Sequence, residues 1–301
     1  MNRMIGIIFA IMSSSAFGIM PVFAKIAYND GSNATTALAF RFSLAALMLY
    51  IYGKFKKVDF RVSKEQLKFL ALVGTLSYPL TTETLFLSYN YMGTGLATTI
   101  HFVYPASVCI LMYIIYKEKF SKIRIMALML SCIGVYMLVG LNSKGLNVIG
   151  VILALFSGVA YSTSIVAINN KKIRDLDTKV MTFYFCLFAG TVFFLVGGVT
   201  NQITFKFNFT TMGSFLEISL ISTIVSTLLL IKAIRIIGTS ISAILGTFEP
   251  IVSIIFGVLF FKEPLTFPII IGTVLILVSV FILASEKGEA KEIKNHQTQK
   301  A

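Results

Sequence analysis

Two proline-centred sequences set 145 residues apart limit what this chain can become. Tyr104-Pro105 and Glu249-Pro250 each lead an apolar run that ends in Lys-Glu, at Lys117-Glu118 and Lys262-Glu263. Gly93-Thr94 and Gly238-Thr239 repeat at the same offset of 145. At the start of each copy, Gly6-Ile7-Ile8-Phe9-Ala10 with Ser13 and Ala16-Phe17 matches Gly150-Val151-Ile152-Leu153-Ala154 with Ser157 and Ala160-Tyr161, at 144. Three anchors in one order describe a unit written twice, over residues 1–144 and 145–284. About five membrane crossings fit in each copy. An odd number turns the second copy upside down, the plan of secondary carriers whose site lies between inverted halves.

The crossings follow from composition. With 56% hydrophobic residues, 13% charged residues and a mean hydropathy of +0.86, the apolar side chains exceed what a soluble core hides. Runs long enough to cross hydrocarbon fall at 5–28, 35–53, 66–89, 95–116, 123–141, 147–168, 179–199, 213–235, 239–261 and 266–284. All are expected to be helices, because only a helix satisfies its own backbone in lipid and the runs are too long for barrel strands. The fold class is therefore all-α integral membrane, with ten transmembrane helices as two inverted five-helix repeats. The run at the N-terminus continues past Ser13-Ser14-Ser15 to Ala27, so it reads as a retained helix and not a cleaved signal. Residues 285–301 are polar and expected to be a disordered cytoplasmic tail.

Charge placement gives the orientation. Of the 26 Lys and Arg residues, 21 lie on one side of a ten-span arrangement, including Arg3, Lys54, Lys117, Lys171, Arg235 and Lys287. That side is the cytoplasm, which puts both termini inside a cell (inner or plasma) membrane. The net charge of +13 is thus topological and favours anionic lipid headgroups. No basic groove is interleaved with aromatics, so nucleic acid is not an expected partner.

A charge at bilayer depth costs at least ~2.5–3.5 kcal/mol on insertion scales, so each one asks for a reason. Arg41, Glu83 and His101 each lie about six residues inside the outer end of their spans, at one level roughly 9–10 Å deep. They read either as a lock between helices or as a substrate and proton site. Arg41 could hold Glu83 ionised through charge-assisted bonds. Glu249 lies near mid-membrane and is the best single candidate for a proton- or cation-binding carboxylate, with a buried structural acid as the other reading. Tyr104 shares a helical face with His101. Pro79, Pro105 and Pro250 each remove a backbone donor beside these groups, and Pro105 frees the carbonyl of His101. A freed carbonyl can line a cavity or only shape packing.

No Gly-x-Ser-x-Gly or His-Glu-x-x-His occurs and no loop could house a catalytic domain, so an enzyme is not expected. Cys109, Cys132 and Cys186 have no ligand-spaced partners and read as small apolar residues, with no metal or cofactor expected.

The chain resembles the drug/metabolite transporter superfamily, specifically its EamA type with two tandem copies. The resembling residues are Ala16-Phe17-Gly18, Lys25, Arg41-Phe42 and the apolar run after it, the Tyr-Pro and Glu-Pro, the two Lys-Glu pairs and the Gly-rich last helix of each copy. The likeness covers nearly all of residues 4–284. It implies ten helices around a central cavity and movement of amino acids or similar small metabolites. In the second copy the positions of Lys25 and Arg41 fall at or beside Asn169 and Phe185, so any role of that Lys and Arg belongs to the first half. The expected function is a secondary transporter, permease or exporter, working by alternating access. Arg41, Glu83, His101, Tyr104 and Glu249 would meet a small-molecule solute or a coupling proton. The alternative is a flippase of a lipid-linked headgroup on the same fold. Either would act among membrane lipids as a monomer or homodimer.

Overall fold

A computed structural model describes residues 3–88, 91, 97, 100–139, 147–205, 208–261 and 266–285. Among them every regular element is a helix. In chain order they are α1 (Arg3–Asn29), α2 (Ala34–Phe55), α3 (Lys64–Leu72), α4 (Tyr78–Ser88), α5 (Tyr104–Tyr116), α6 (Lys122–Val139) and α7 (Val148–Ala167). There follow α8 (Thr178–Val199), α9 (Phe209–Ser219), α10 (Ser226–Ile237), α11 (Thr239–Leu245), α12 (Glu249–Phe261) and α13 (Phe267–Ser285). Polar caps start several of them: Asn33, Asn147, Asp177 and Asn208 each accept a bond from a first-turn backbone N–H, and Ser63 with Gln66 closes a capping box on α3.

Seven helical runs among the described residues are long and apolar enough to cross a membrane: Arg3–Asn29, Ala34–Phe55, Val148–Ala167, Thr178–Val199, Phe209–Ile237, Thr239–Phe260 and Phe267–Ser285. They coincide with seven of the ten expected spans. The expected third span is α3 and α4 joined without a loop, and α6 covers the fifth. Of the fourth, α5 is the described apolar part. Gly93-Thr94, Lys262-Glu263 and residues 286–301 lie outside the described residues.

Several expected rods are interrupted. Between α3 and α4 the backbone widens into π-helix over Val73–Ser77, and between α9 and α10 over Leu220–Val225. Pro79 explains the first: it has no N–H to give, and its ring crowds the carbonyl four residues back, at Thr75 inside the widened turn. In the second, the Thr223 hydroxyl donates to the Ile218 carbonyl five residues earlier (2.8 Å), which holds the wide turn open. The stretch before each Glu-Pro or Tyr-Pro is also broken. Phe102 and Val103 form a turn ahead of α5, and Gly246–Phe248 form a 3₁₀ turn ahead of α12.

Packing joins residues before 144 to residues after it. α1 packs on α10 and α12, α4 and α5 on α7, α2 on α8, and α6 on α13. The interior is rich in small hydroxyl residues: Ser13, Ser157, Ser162, Ser219, Ser222, Thr223, Ser226, Ser240 and Ser242 are buried, whereas Ile8, Leu47, Ile110, Leu195 and Phe281 face outward. This inverts the soluble pattern because lipid is as apolar as leucine. Close approach and interhelical hydrogen bonds hold the helices instead, as where Ser13 Oγ donates to the Ser226 carbonyl (2.8 Å).

One contact ties the ends of two interrupted spans. Glu118 follows the left-handed Lys117 (φ 55°) after α5. Its Oε2 accepts from Ser240 Oγ at the start of α11 (2.8 Å), and its Oε1 from Arg124 Nη1 on α6 (3.2 Å). Burial pushes this carboxyl above the usual carboxylate range, with Ser240 and Arg124 drawing it back. A raised acid favours the fold while protonated, and that contribution is lost as pH rises from the ordinary carboxylate range through the raised value. Glu118→Gln does not titrate. Its melting temperature relative to the wild type is expected to climb as pH rises above the ordinary carboxylate range. A flat difference would place the carboxylate in a site that compensates its charge fully.

Candidate functional site

The polar side chains that α2, α5, α7, α12 and the second π segment turn inward form one cluster. Arg41, on α2, is 8% exposed. Its Nε donates to Thr223 Oγ1 in the second π segment (2.7 Å), and its guanidinium carbon lies 4.8 Å over the Phe42 ring. The two Nη groups make no hydrogen bond among the described residues, and no carboxylate comes within 4 Å. Tyr78, Tyr161 and Glu249 are its electrostatic neighbours. The π segment therefore serves the cluster, because its wide turn presents the Thr223 hydroxyl oxygen to the arginine.

His101 is buried just ahead of the α5 break. Its Nδ1 is 2.8 Å from Ser157 Oγ on α7. The Ser157 hydroxyl already donates to the Ala154 carbonyl (2.7 Å), so it accepts from His101, whose Nδ1 carries the hydrogen. Nε2 is left as the basic nitrogen, with no hydrogen-bond partner among the described residues. The ring leans on Tyr104 and Tyr161, at centroid distances of 5.9 and 5.7 Å, and those two tyrosines meet edge to face at 4.9 Å. The His101 carbonyl that Pro105 leaves without its helical donor faces Gly158 on α7, where an added Cβ would lie 2.6 Å away.

Glu249 opens α12 next to Pro250 and is partly buried. Tyr104 and Tyr161 are its electrostatic neighbours, together with Arg41. Its carboxylate makes no hydrogen bond or ion pair among the described residues. The turn that delivers it depends on two glycines: a Cβ on Gly246 would strike the Tyr104 hydroxyl, and one on Gly18 of α1 would lie 2.6 Å from the Glu249 carbonyl.

Arg41, His101, Tyr104 and Glu249 are thus brought together. Glu83 is not. It is exposed on the outer face of α4, in line with the exposed Leu76, Leu80 and Leu87, and it makes no ion pair among the described residues. The shared depth inferred from sequence said nothing about azimuth, and α4 turns Glu83 away from Arg41. Pro79 and Pro105 are buried and Pro250 is partly buried, each beside a break.

The family model of the EamA-like transporter family matches residues 4–140 and again 148–285. The chain belongs to the EamA-like transporter family. Two curated relatives carry names of the same kind. An uncharacterized transporter of Bacillus subtilis, YvbV, is 27% identical over 222 residues, 72% of this chain and 70% of the relative. An uncharacterized transporter of Synechocystis, sll1319, is 26% identical over 216 residues, 70% of this chain and 65% of the relative's own length. A solved crystal structure superposes with a TM-score of 0.79 at 13% identity, covering 97% of this chain and all of the other; it shares the fold. The protein is a multi-pass, all-α membrane protein of a transporter family.

In this EamA protein several site residues escape sequence reasoning. Tyr78, Tyr161, Ser157 and Thr223 look like ordinary span residues, and only packing turns them inward. Glu217 had a visible signal, an acid inside the apolar run 213–235, but its place four residues from the run's start disguised it as a boundary charge. Among the described residues no group of three or more His, Cys, Asp or Glu is placed to hold a metal ion.

Proposed function

We propose that the chain is an alternating-access carrier of small polar or amphipathic metabolites, amino acids among them, with Arg41, His101, Tyr104 and Glu249 around the solute. Its two halves, 1–144 and 145–284, are inverted five-helix repeats giving ten spans, with both termini in the cytoplasm of a cell-membrane protein. Support for the inversion comes from the reciprocal packing of the halves, α1 on α10 and α7 on α4. The interruptions are reciprocal too, at Val73–Ser77 and Leu220–Val225 and ahead of α5 and α12. Breaks at matching places in both halves are what a midplane site between repeats needs.

The observation that carries this reading is that Arg41 and Glu249 face one interior cluster without pairing. A structural lock would bring guanidinium and carboxylate together, since leaving either charge buried and unpaired is strongly unfavourable. Two opposite charges held apart leave a place for a third party bearing both signs, or one sign and a proton. The Arg41 fork suits a carboxylate or other oxyanion. The free Nε2 of His101 and the Glu249 carboxylate supply places for a coupling proton.

Purified protein in liposomes, given a panel of radiolabelled amino acids and related metabolites with and without a pH gradient, tests both parts. Accumulation of a solute that accelerates with the gradient is the expected result. An equal rate with and without it removes the proton coupling. A protein that moves no small solute but translocates lipid-linked headgroups removes the carrier reading.

A further inference from the structure

A second acid is partly buried in the bundle, apart from the four clustered residues. Glu217, on α9, lies one helical turn before the second π segment. Its Oε1 accepts from Ser222 Oγ at 3.3 Å. Its Oε2 is buried and has no hydrogen-bond partner among the described residues. Thr223, next to Ser222, holds Arg41 through Nε, so two consecutive residues of the wide turn address the acid and the guanidinium. No cation comes within ion-pairing distance of Glu217 among the described residues.

An ionised carboxylate spreads its charge over both oxygens, and each needs donors when water is excluded. Here one oxygen has a hydroxyl donor and the other has nothing, a distribution that suits a neutral carboxyl with its proton on the second oxygen. We propose that Glu217 is a proton-binding site whose carboxyl holds the proton on Oε2 and whose release of it is answered by Arg41. The groups that face it are few. From α2 there is Arg41, an electrostatic neighbour. α1 also packs on α9; it carries Lys25 and Tyr28 near its end, and Asp30 just beyond it accepts from Thr211 Oγ1 at 3.4 Å. The π segment contributes only the hydroxyls of Ser222 and Thr223. When the proton leaves, the nearest buried cation is Arg41, and its two Nη groups have no protein partner among the described residues to give up. With Glu217 protonated the fork faces the Glu249 side; with Glu217 ionised it is drawn toward α9. The proton on one acid thereby sets whether the arginine is open to a negatively charged group. This consequence for solute rests on the carrier reading, whereas the proton site itself does not.

Infrared difference spectroscopy on the full chain in lipid nanodiscs, stepped through pH, reads the carbonyl stretch of a protonated carboxyl without any transport. The wild type is expected to show a titrating component that Glu217→Gln lacks and Glu249→Gln keeps. Glu217→Asp, which retains an acid, should restore a titrating band at a displaced frequency. Size-exclusion elution checks that each variant is folded. If the titrating signal of Glu217→Gln matches the wild type, or if the Asp band coincides with the wild-type band, the proposal is overturned. A chain that titrates at Glu217 yet carries no solute sinks the carrier reading and leaves the proton site standing.

Discussion

Glu249→Gln is expected to lower gradient-driven uptake in liposomes by at least about tenfold, equivalent to ~1.4 kcal/mol, while leaving the protein folded. The substitution keeps size and shape, and it removes a charge that has no partner among the described residues, so no donor is orphaned. What disappears is the negative end of the interior cluster and its capacity to take a proton. The residual uptake of the variant should respond less to the pH gradient than that of the wild type. The measurement is initial rate against external pH, with melting temperature as the folding control. Wild-type rates in Glu249→Gln would make the acid a bystander and end the proposal that Arg41 and Glu249 hold solute between them.

The second large effect is structural. In Gly18→Leu a side chain must enter where α1 touches the start of α12, and even its Cβ would lie 2.6 Å from the Glu249 carbonyl and 2.8 Å from Val252 Cβ. A backbone carbonyl in a packed helix cannot step aside. Overpacking of this kind costs about 1–3 kcal/mol for each modest insertion, and the contact lies between segments that a carrier must move. A drop of several degrees in melting temperature is expected, along with loss of uptake. Gly213→Leu is the control, since an added Cβ there meets nothing within 4 Å. Equal melting temperatures for the two variants would mean that α1 and α12 are not held as close as the structure has them. Gly158, against the His101 carbonyl on the other side of the cluster, should behave as Gly18 does.

Much of this molecule is legible along the chain because lipid writes a one-dimensional rule. A helix must be apolar for about twenty residues to cross hydrocarbon, so span positions, loop charges and the doubling of the unit stand in the order of the letters. The same rule exposes Arg41, His101 and Glu249, since each breaks an apolar run. The π segments are less legible. Pro79 announces a disturbance in the first, but no proline lies within Leu220–Val225, and its wide turn is held by the Thr223 side chain between its own backbone and Arg41 of a distant helix.

By itself the sequence determined that the chain crosses a membrane many times, that it is built from a repeated unit, and that a few costly ionisable groups lie at depth. Hydropathy and repetition are properties of single segments, and segments are what a sequence lists. The tertiary structure decided which of those groups meet. Depth along a helix can be counted in residues, but the direction a side chain takes around its axis depends on which neighbour the helix packs against. That is why Glu83 points outward with the leucines of α4, and why Glu217, an inconspicuous acid near the start of its run, accepts from Ser222 beside the Thr223 that holds Arg41.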